Sequence, residues 1–355
     1  MKPVFILAAI LIFGLLVAIH ELGHFLAAKL CGVKVNEFSI GMGPLIWHKE
    51  TAETEYSLRA LPVGGYCAME GEDEETGHER SFVRQGFWKK LLVLAAGSLM
   101  NFLAGALILL ALYSGVNYLL ADSIVGLAPE FEYVGENGLM EGDLIYKVNG
   151  YRTYLQGDAA MFLGAARDTV DLEVVRDGRH IRLKDLSRST YTSTDGVTKY
   201  TGFGIYVGPH VEEATLLGKL KYTVYNALDF VQLVWFSLSQ LITGEAGMQD
   251  LSGPVGIVST ITEVGEQAET VRDAWSQIFY FAALLAVNLA VMNLLPIPAL
   301  DGGRILFLLV DAVCMLVLGK KVPEKFQSLV NTVGFAALMA LMLIITFNDV
   351  FRLFR

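Results

Sequence analysis

Residues 17–29 read VAIHELGHFLAAK, and they lie inside an apolar run, residues 4–30, long enough to cross a bilayer. A carboxylate in such a helix costs roughly 2.5–3.5 kcal/mol on insertion scales, and two imidazoles one turn apart add to it. His20 and His24 are four residues apart, so on a helix they point the same way and can share one metal ion. Glu21 projects about 100° further round, within reach of a water on that ion. Two imidazoles suit zinc, which acidifies such a water, and a glutamate beside it can take the proton and later deliver it to a leaving amine. Lysine cannot ligate while charged, and aspartate at position 21 would be one methylene short. In a soluble helix the HExxH pattern often arises by chance. Within a span that explanation weakens, because ionisable residues in a membrane are functional by default.

Catalytic zinc takes three protein ligands and keeps a fourth position open. The first span offers two, so the third must come from a distant part of the chain. The stretch NLLPIPALDGGRILF (residues 293–307) supplies a candidate in Asp301. Pro296 and Pro298 break an apolar run there, and Gly302 and Gly303 free the backbone just after the carboxylate. Irregular backbone at membrane depth is tolerated only where it lines a cavity or is buried in protein. Asp301 also reads as the N-cap of a short apolar helix over residues 305–318, and the two roles are compatible. Asp311, inside that helix, is the second candidate ligand.

The rest of the composition fits a membrane protein. Of 355 residues, 54% are hydrophobic and 18% charged, with a mean hydropathy of +0.48. A net charge of -10, with no basic patch to neutralise phosphates, argues against a nucleic-acid partner. Cys31, Cys67 and Cys314 are scattered and form no CxxC pair, so neither a disulfide framework nor a thiolate metal site is expected. The N-terminal apolar run is too long for a signal-peptide core and lacks a small-residue cleavage site, so it is read as a permanent span.

The expected fold is a polytopic α-helical membrane protein of about four transmembrane helices, the third broken at the metal site. Residues 1–120 form an N-terminal membrane half, with spans at about 4–30 and 91–120 joined by a loop, 32–90, of alternating β-formers read as β-hairpins. The acidic EGEDEE (residues 70–75) reads as a solvated loop. Residues 122–209 read as an inserted β-rich domain with turn signals at Asn149-Gly150 and Asp177-Gly178. Residues 211–270 carry an amphipathic helix and a connector. Leu217, Leu220, Val224, Leu228, Val231, Trp235, Leu238 and Ile242 make its apolar stripe, with Lys219, Asn226, Asp229 and Gln240 off it. Such a helix suits the bilayer interface, and packing on the β-rich domain is the other reading. Residues 275–355 form a C-terminal membrane half, with spans at about 276–295 and 333–350.

Lys34, Lys49, Arg59, Arg80, Arg84, Lys89 and Lys90 crowd the first loop, and Arg304, Lys320, Lys321 and Lys325 follow Asp301. The positive-inside rule puts both groups in the cytoplasm, and the β-rich domain and both termini outside.

These motifs carry a resemblance. HELGH in the first span, FSIGMGP and LRALPVGGY in the loop, SGPVGI before the third span and NLLPIPALDGG within it occur in the order found in the site-2 protease family of intramembrane zinc metalloproteases. The branch they resemble is the bacterial one that cleaves anti-sigma factors. The resemblance implies one catalytic Zn2+ held by His20, His24 and Asp301, with Glu21 as the catalytic carboxylate. It further implies a membrane-associated β-hairpin sheet around residues 38–66, with Gly41, Gly43, Gly64 and Gly65 among the substrate-binding positions, that adds a strand to an unwound substrate. Asn101 falls at the family's AGPxxN position, where this chain has Ser98 in place of the frequent proline, and would bind the substrate backbone. Asn293 would be a second polar group near the site, helix–helix hydrogen bonding being its other reading. GLMEGDLIYKVNGYRT (residues 138–153) is similar to a PDZ domain, a single one here, on the outer side.

The function so implied is cleavage of single-span membrane proteins already trimmed outside by a site-1-type protease, such as anti-sigma factors or signal-peptide remnants. The partners implied are that substrate, the upstream protease and the lipid bilayer of the inner membrane, with the active site towards the cytoplasm. A metal-ion or proton transporter is the rival, since buried His, Glu and Asp also line ion pathways. A silent peptide-binding scaffold is the third reading, and it has no use for Glu21.

Overall fold

The computed structural model describes residues 2–72, 76–192, 198–247, 251–320 and 322–353. Asp73, Glu74 and Glu75 of the acidic loop, and Lys321, lie outside the described residues. Among the described residues, four helices are long and apolar enough to cross a membrane: Pro3–Cys31, Phe87–Ser114, Val271–Asn293 and Lys325–Arg352. The chain divides into two compact units, residues 1–108 with 234–355, and residues 109–233.

In the first unit, helix α1 (Lys2–Cys31) leads through Gly32 into strands β1 (Val35–Glu50) and β2 (Glu55–Met69). Each strand bends, so the two pair in three places. Residues 35–40 run antiparallel to 65–69, residues 37–40 also lie beside 55–58 in the same direction, and 45–50 run antiparallel to 55–59. The result is a folded sheet of four segments in which 65–69 is an edge, not a simple hairpin. Gly41 and Gly43 (φ +84° each) and Gly64 (φ +87°) sit at its bends. Helix α2 (Phe87–Ser114) follows. Ala27, Ala28 and Cys31 of α1 pack with Val35, Phe38, Cys67, Val93 and Leu94 into one core beneath the HExxH turn.

The second span therefore ends at Ser114 rather than residue 120. The apolar run continues past Gly115 as strand β3 (Tyr118–Leu127), and a short apolar run does not by itself distinguish helix from strand. The second unit is built on a sheet with strands β4 (Leu144–Val148), β5 (Tyr151–Arg152), β6 (Thr169–Arg176), β7 (Arg179–Ser187) and β10 (Ile205–Glu213), in the order β10-β3-β4-β6-β7 with β5 beside β4. Helix α3 (Asp158–Ala165) and a small ribbon of β8 (Ser189–Thr192) and β9 (Lys199–Gly202) complete it. Asn149-Gly150 and Asp177-Gly178 make its tight turns, all four residues at positive φ, as two-residue hairpin loops require. The ladder from Tyr118–Glu213 to Leu127–Ile205 closes the unit a few residues beyond the limits expected from sequence.

Helix α4 (Leu216–Thr243) is amphipathic. Much of its stripe is bare, with Leu217 77%, Val224 56%, Trp235 54% and Ile242 85% exposed, whereas Asn226 and Asp229 are buried at 0% and 2%. The face that packs on protein carries Tyr222, Ala227, Phe230 and Val234 beside these two polar residues. Asp229 Oδ1 has no hydrogen-bond partner among the described residues. Burial, and then the nearby Asp158 carboxylate, push its pKa up to about 8. The unfolded chain releases that proton near pH 3.9, so the folded state is favoured at low pH and loses this contribution as pH rises through about 8. Thermal melts of Asp229→Asn should be flatter between pH 4 and 8 than those of the native protein. An unchanged pH slope would count against this burial effect.

The C-terminal half returns to the first unit with α5 (Pro254–Gln267), α6 (Val271–Asn293), α7 (Asp301–Leu318) and α8 (Glu324–Leu353). Thr270 caps α6 by accepting a hydrogen bond from Asp273 N. Asp349 of α8 accepts from the backbone N–H groups of Gly253 and Gly256 at 2.9 and 2.8 Å, which anchors the SGPVGI segment at the start of α5. α5 and α6 pack on α1 through Phe5, Leu16, Ile261, Ile278 and Leu285. The last helix is longer than the expected 333–350.

Candidate metal centre

Helix α1 presents His20 and His24 to α2, and both residues are buried. Their Nε2 atoms are 3.1 Å apart. Asp301 Oδ2, from the far end of the chain, stands 3.1 Å from His20 Nε2 and 3.2 Å from His24 Nε2. A tetrahedral ion with bonds of about 2.0–2.1 Å separates its ligands by about 3.3 Å, so this triangle has the size of one ligand face. His24 Nδ1 lies 2.8 Å from the Val93 carbonyl oxygen. That oxygen can only accept, so Nδ1 carries the proton and the Nε2 lone pair points into the triangle. Asp301 Oδ2 is buried without a hydrogen-bond donor among the described residues. Converging lone pairs with no donor between them fit a cation, and two imidazoles with one carboxylate fit zinc.

Two glycines make the space. A Cβ on Gly97 of α2 would lie 2.4 Å from His24 Nε2 and 2.8 Å from His20 Nε2, in the volume an ion would take. A Cβ on Gly23, inside the HELGH turn, would lie 2.4 Å from the Ala96 carbonyl oxygen, so α1 and α2 cross here nearly backbone to backbone. Sequence reasoning passed over both, although small residues at a helix crossing were the available signal.

Asp301 arrives on an irregular connection, residues 294–300, between α6 and α7. Leu300 is the N-cap residue of α7 and makes no side-chain cap bond, so Asp301 is the first helical residue, with its carboxylate on the imidazoles instead. Gly302 and Gly303 let α7 start against this connection. A Cβ on either would come within 2.3 Å of the backbone at Leu294–Leu295 or Ile297. Asp311, the second candidate ligand, is engaged elsewhere, accepting from Val322 N at 2.9 Å and Gln327 Nε2 at 3.1 Å. It does not belong to the metal-competent group of His20, His24 and Asp301.

Glu21 lies within electrostatic reach of His20, His24 and Asp301, and also of Glu72. Glu72 pairs with Arg304, tying the segment after β2 to α7. Gly65 touches the Glu21 side chain, since a Cβ on it would lie 3.4 Å from Glu21 Cγ. The edge segment 65–69 thus begins beside the carboxylate. Gly64 packs against Met42, Gly41 against the carbonyl oxygens of Leu61 and Arg59, and Gly43 against Leu61. Those three shape the sheet rather than meet the triangle. The Asn293 amide is 3.4 Å from His20 Nδ1. Asn101, one turn beyond Gly97 on α2, is 1% exposed, and neither its Oδ1 nor its Nδ2 has a partner among the described residues. Ser98 Oγ is likewise buried and unpaired.

Nearly the whole length of the chain has counterparts among known proteins. The model of peptidase family M50 matches residues 8–341. The regulator of sigma-W protease RasP of Bacillus subtilis is 30% identical over 98% of this chain and 99% of its own length. The zinc metalloprotease RasP of Shouchella clausii is 30% identical over the same shares. A Clostridium perfringens protein named as a zinc metalloprotease is 36% identical over 98% of each chain. The match runs through both halves that build the triangle and through the strands between them, and on that extent the chain belongs to peptidase family M50.

Proposed function

We propose that the protein is a zinc-dependent endopeptidase that cuts single-span membrane proteins within the bilayer after their outer parts have been removed. The observation that carries this reading is the triangle of His20, His24 and Asp301 with Glu21 beside it, built into an apolar span where such groups are costly. Zinc bound there would polarise the scissile carbonyl and make water a nucleophile near neutral pH. Glu21 takes the proton of the attacking water and passes it to the leaving amine. The Val93 carbonyl holds the His24 imidazole in orientation, and the Asn293 amide lies against the His20 ring.

A transmembrane helix must unwind before its peptide bonds are accessible. The edge segment 65–69, paired on one side with 35–40 and starting beside Glu21, offers backbone groups to which an unwound substrate can add as a strand. Asn101 supplies an amide for the substrate backbone. A buried amide without a partner costs the free protein stability, and a bound peptide would repair that. Asn101→Leu is therefore expected to raise the melting temperature while lowering kcat/KM by roughly tenfold, about one hydrogen bond. A lower melting temperature with unchanged kcat/KM would make Asn101 a structural residue instead.

The Lys and Arg distribution supports a site towards the cytoplasm and the β-rich unit outside, in a bacterial inner membrane. That unit we read as a PDZ-like domain that, with α4 at the interface, excludes proteins still carrying large outer domains. The name of the Bacillus subtilis relative ties that protein to sigma-factor regulation. An anti-sigma factor or a signal-peptide remnant, trimmed first by a site-1-type protease, is the substrate class proposed here. Tyr118 and Glu213 face each other at the ends of the β-rich unit, so a short linker can replace residues 118–213. That deletion should allow cleavage of an untrimmed substrate, and unchanged selectivity would end the exclusion idea.

The direct test is purified protein in detergent, assayed for zinc and for cleavage of a single-span substrate, beside His20→Ala. Zinc and cleavage lost together in the variant support the enzyme. Zinc-dependent ion flux without proteolysis would establish the transporter.

A further inference from the structure

The third ligand rides on a strained connection. Ala299, two residues before Asp301, has φ +72°, the left-handed region that residues with a Cβ avoid. Such a backbone persists only where its surroundings over-determine it. On one side α7 supplies those surroundings, with Gly302 and Gly303 seated on residues 294–297. On the other side stands α8. Asn331 Oδ1 accepts a hydrogen bond from Ala299 N at 3.4 Å. Three residues on, along the same helix face, Gly334 lies against Pro298. A Cβ there would meet Pro298 Cβ at 2.4 Å and the Pro298 carbonyl carbon and oxygen at 3.2 Å.

The two contacts fall on consecutive residues of the connection, and they depart from the rest of the helix. Around them α8 exposes large apolar side chains, Leu329 at 61%, Val333 at 60% and Phe335 at 59%, as a lipid-facing span does. Asn331 lines a cavity with Ser328, Thr332 and Asp311 rather than facing lipid, and its amide is the group there that bonds the backbone at Ala299, next to the Pro298 contact of Gly334. Asp311 fixes the start of α8 to α7 through Val322 N and Gln327, which sets the register that brings Asn331 and Gly334 to this place.

We propose that Asn331 and Gly334 are positioning residues for Asp301: the last helix braces the connection that carries the third metal ligand, although neither residue touches the triangle. The inference rests on the zinc reading above. Outer-shell support of a ligand is commonly worth about 10–100-fold in metal affinity, and that is the scale expected here.

The experiment is chelator competition for zinc on the full-length protein in detergent, with kcat and KM on a single-span substrate. Asn331→Leu and Gly334→Val should release zinc at about tenfold lower chelator concentration and lower kcat with KM unchanged. Asn331→Asp keeps an acceptor oxygen for Ala299 N and should retain native zinc affinity. Ala299→Gly removes the strain, so Asn331→Leu placed in that background should recover most of the lost affinity. The Asn331 variants are close to isosteric and carry the test alone if Gly334→Val does not assemble. Native zinc affinity in Asn331→Leu overturns the brace, as does a change confined to KM or a loss that Ala299→Gly does not relieve. A native protein that binds no zinc defeats the parent reading instead, which keeps the two failures distinct.

Discussion

Glu21→Gln should keep its zinc and lose about 10²–10⁴-fold in kcat, the range ordinarily ascribed to a positioned general acid–base. The substitution preserves length and volume, so the α1 packing is undisturbed, and glutamine cannot accept the water's proton at any working pH. Glu21 is not among the three groups whose ligand atoms converge, so removing its charge leaves the triangle whole. The measurement is paired: zinc per chain by metal analysis, and turnover of a single-span substrate by gel mobility or mass spectrometry. Zinc retained and turnover lost assigns Glu21 to proton transfer. Turnover retained would place the base elsewhere, and Glu72, the other carboxylate in electrostatic reach, would be the next to test.

Gly97→Ala is expected to strike the metal centre itself with the addition of a single carbon. Alanine is the better helix former by about 1 kcal/mol, so a propensity argument alone predicts a gain in stability. The added Cβ, however, would sit 2.4 Å from His24 Nε2, 2.7 Å from His20 Cε1 and 2.8 Å from His20 Nε2. No imidazole rotamer can yield far, because His24 is held by Val93 and α1 is locked to α2 at Gly23. The methyl would take the room of the ion, so zinc affinity should fall by at least about 10²-fold and turnover with it, while far-ultraviolet dichroism stays native. Gly164→Ala in α3, where a Cβ meets nothing within 4 Å, is the matching control and should leave zinc and turnover unchanged. Full zinc occupancy in Gly97→Ala would show that the helices part more easily than their crossing implies.

Much of this was legible in the residues themselves. His20 and His24 share a helix turn by spacing alone, and a 27-residue apolar run around them fixes helix as the conformation, because only internally bonded backbone survives in lipid. Asn149-Gly150 and Asp177-Gly178 encode their turns locally, through residues that tolerate positive φ. Pro296 and Pro298, lacking the N–H that a helix interior needs, cannot carry α6 onward beyond Asn293. These are short-range causes, so the middles of the four spans, the tight turns and two of the three converging groups were legible in the chain, while the ends of the second and last spans were not.

The remaining features depend on residues far apart in the chain. Nothing near residue 301 says that its carboxylate meets an imidazole 281 positions earlier, or that Asp311 is spent on the α7–α8 turn instead. Residues 118–120, which end an apolar run, become strand because β10 offers a ladder to β3. In α4, the stripe reads the same whether it faces protein or lipid, and only the burial of Asn226 and Asp229 shows which face is inward. Gly97 and Gly334 carry no signal alone, since an absent Cβ acquires meaning from what the neighbouring element puts in its place. Periodicity and turn chemistry act over a few residues and are written in the sequence. Close approach between distant backbones, and the space it leaves for an ion, exists only once the helices are packed.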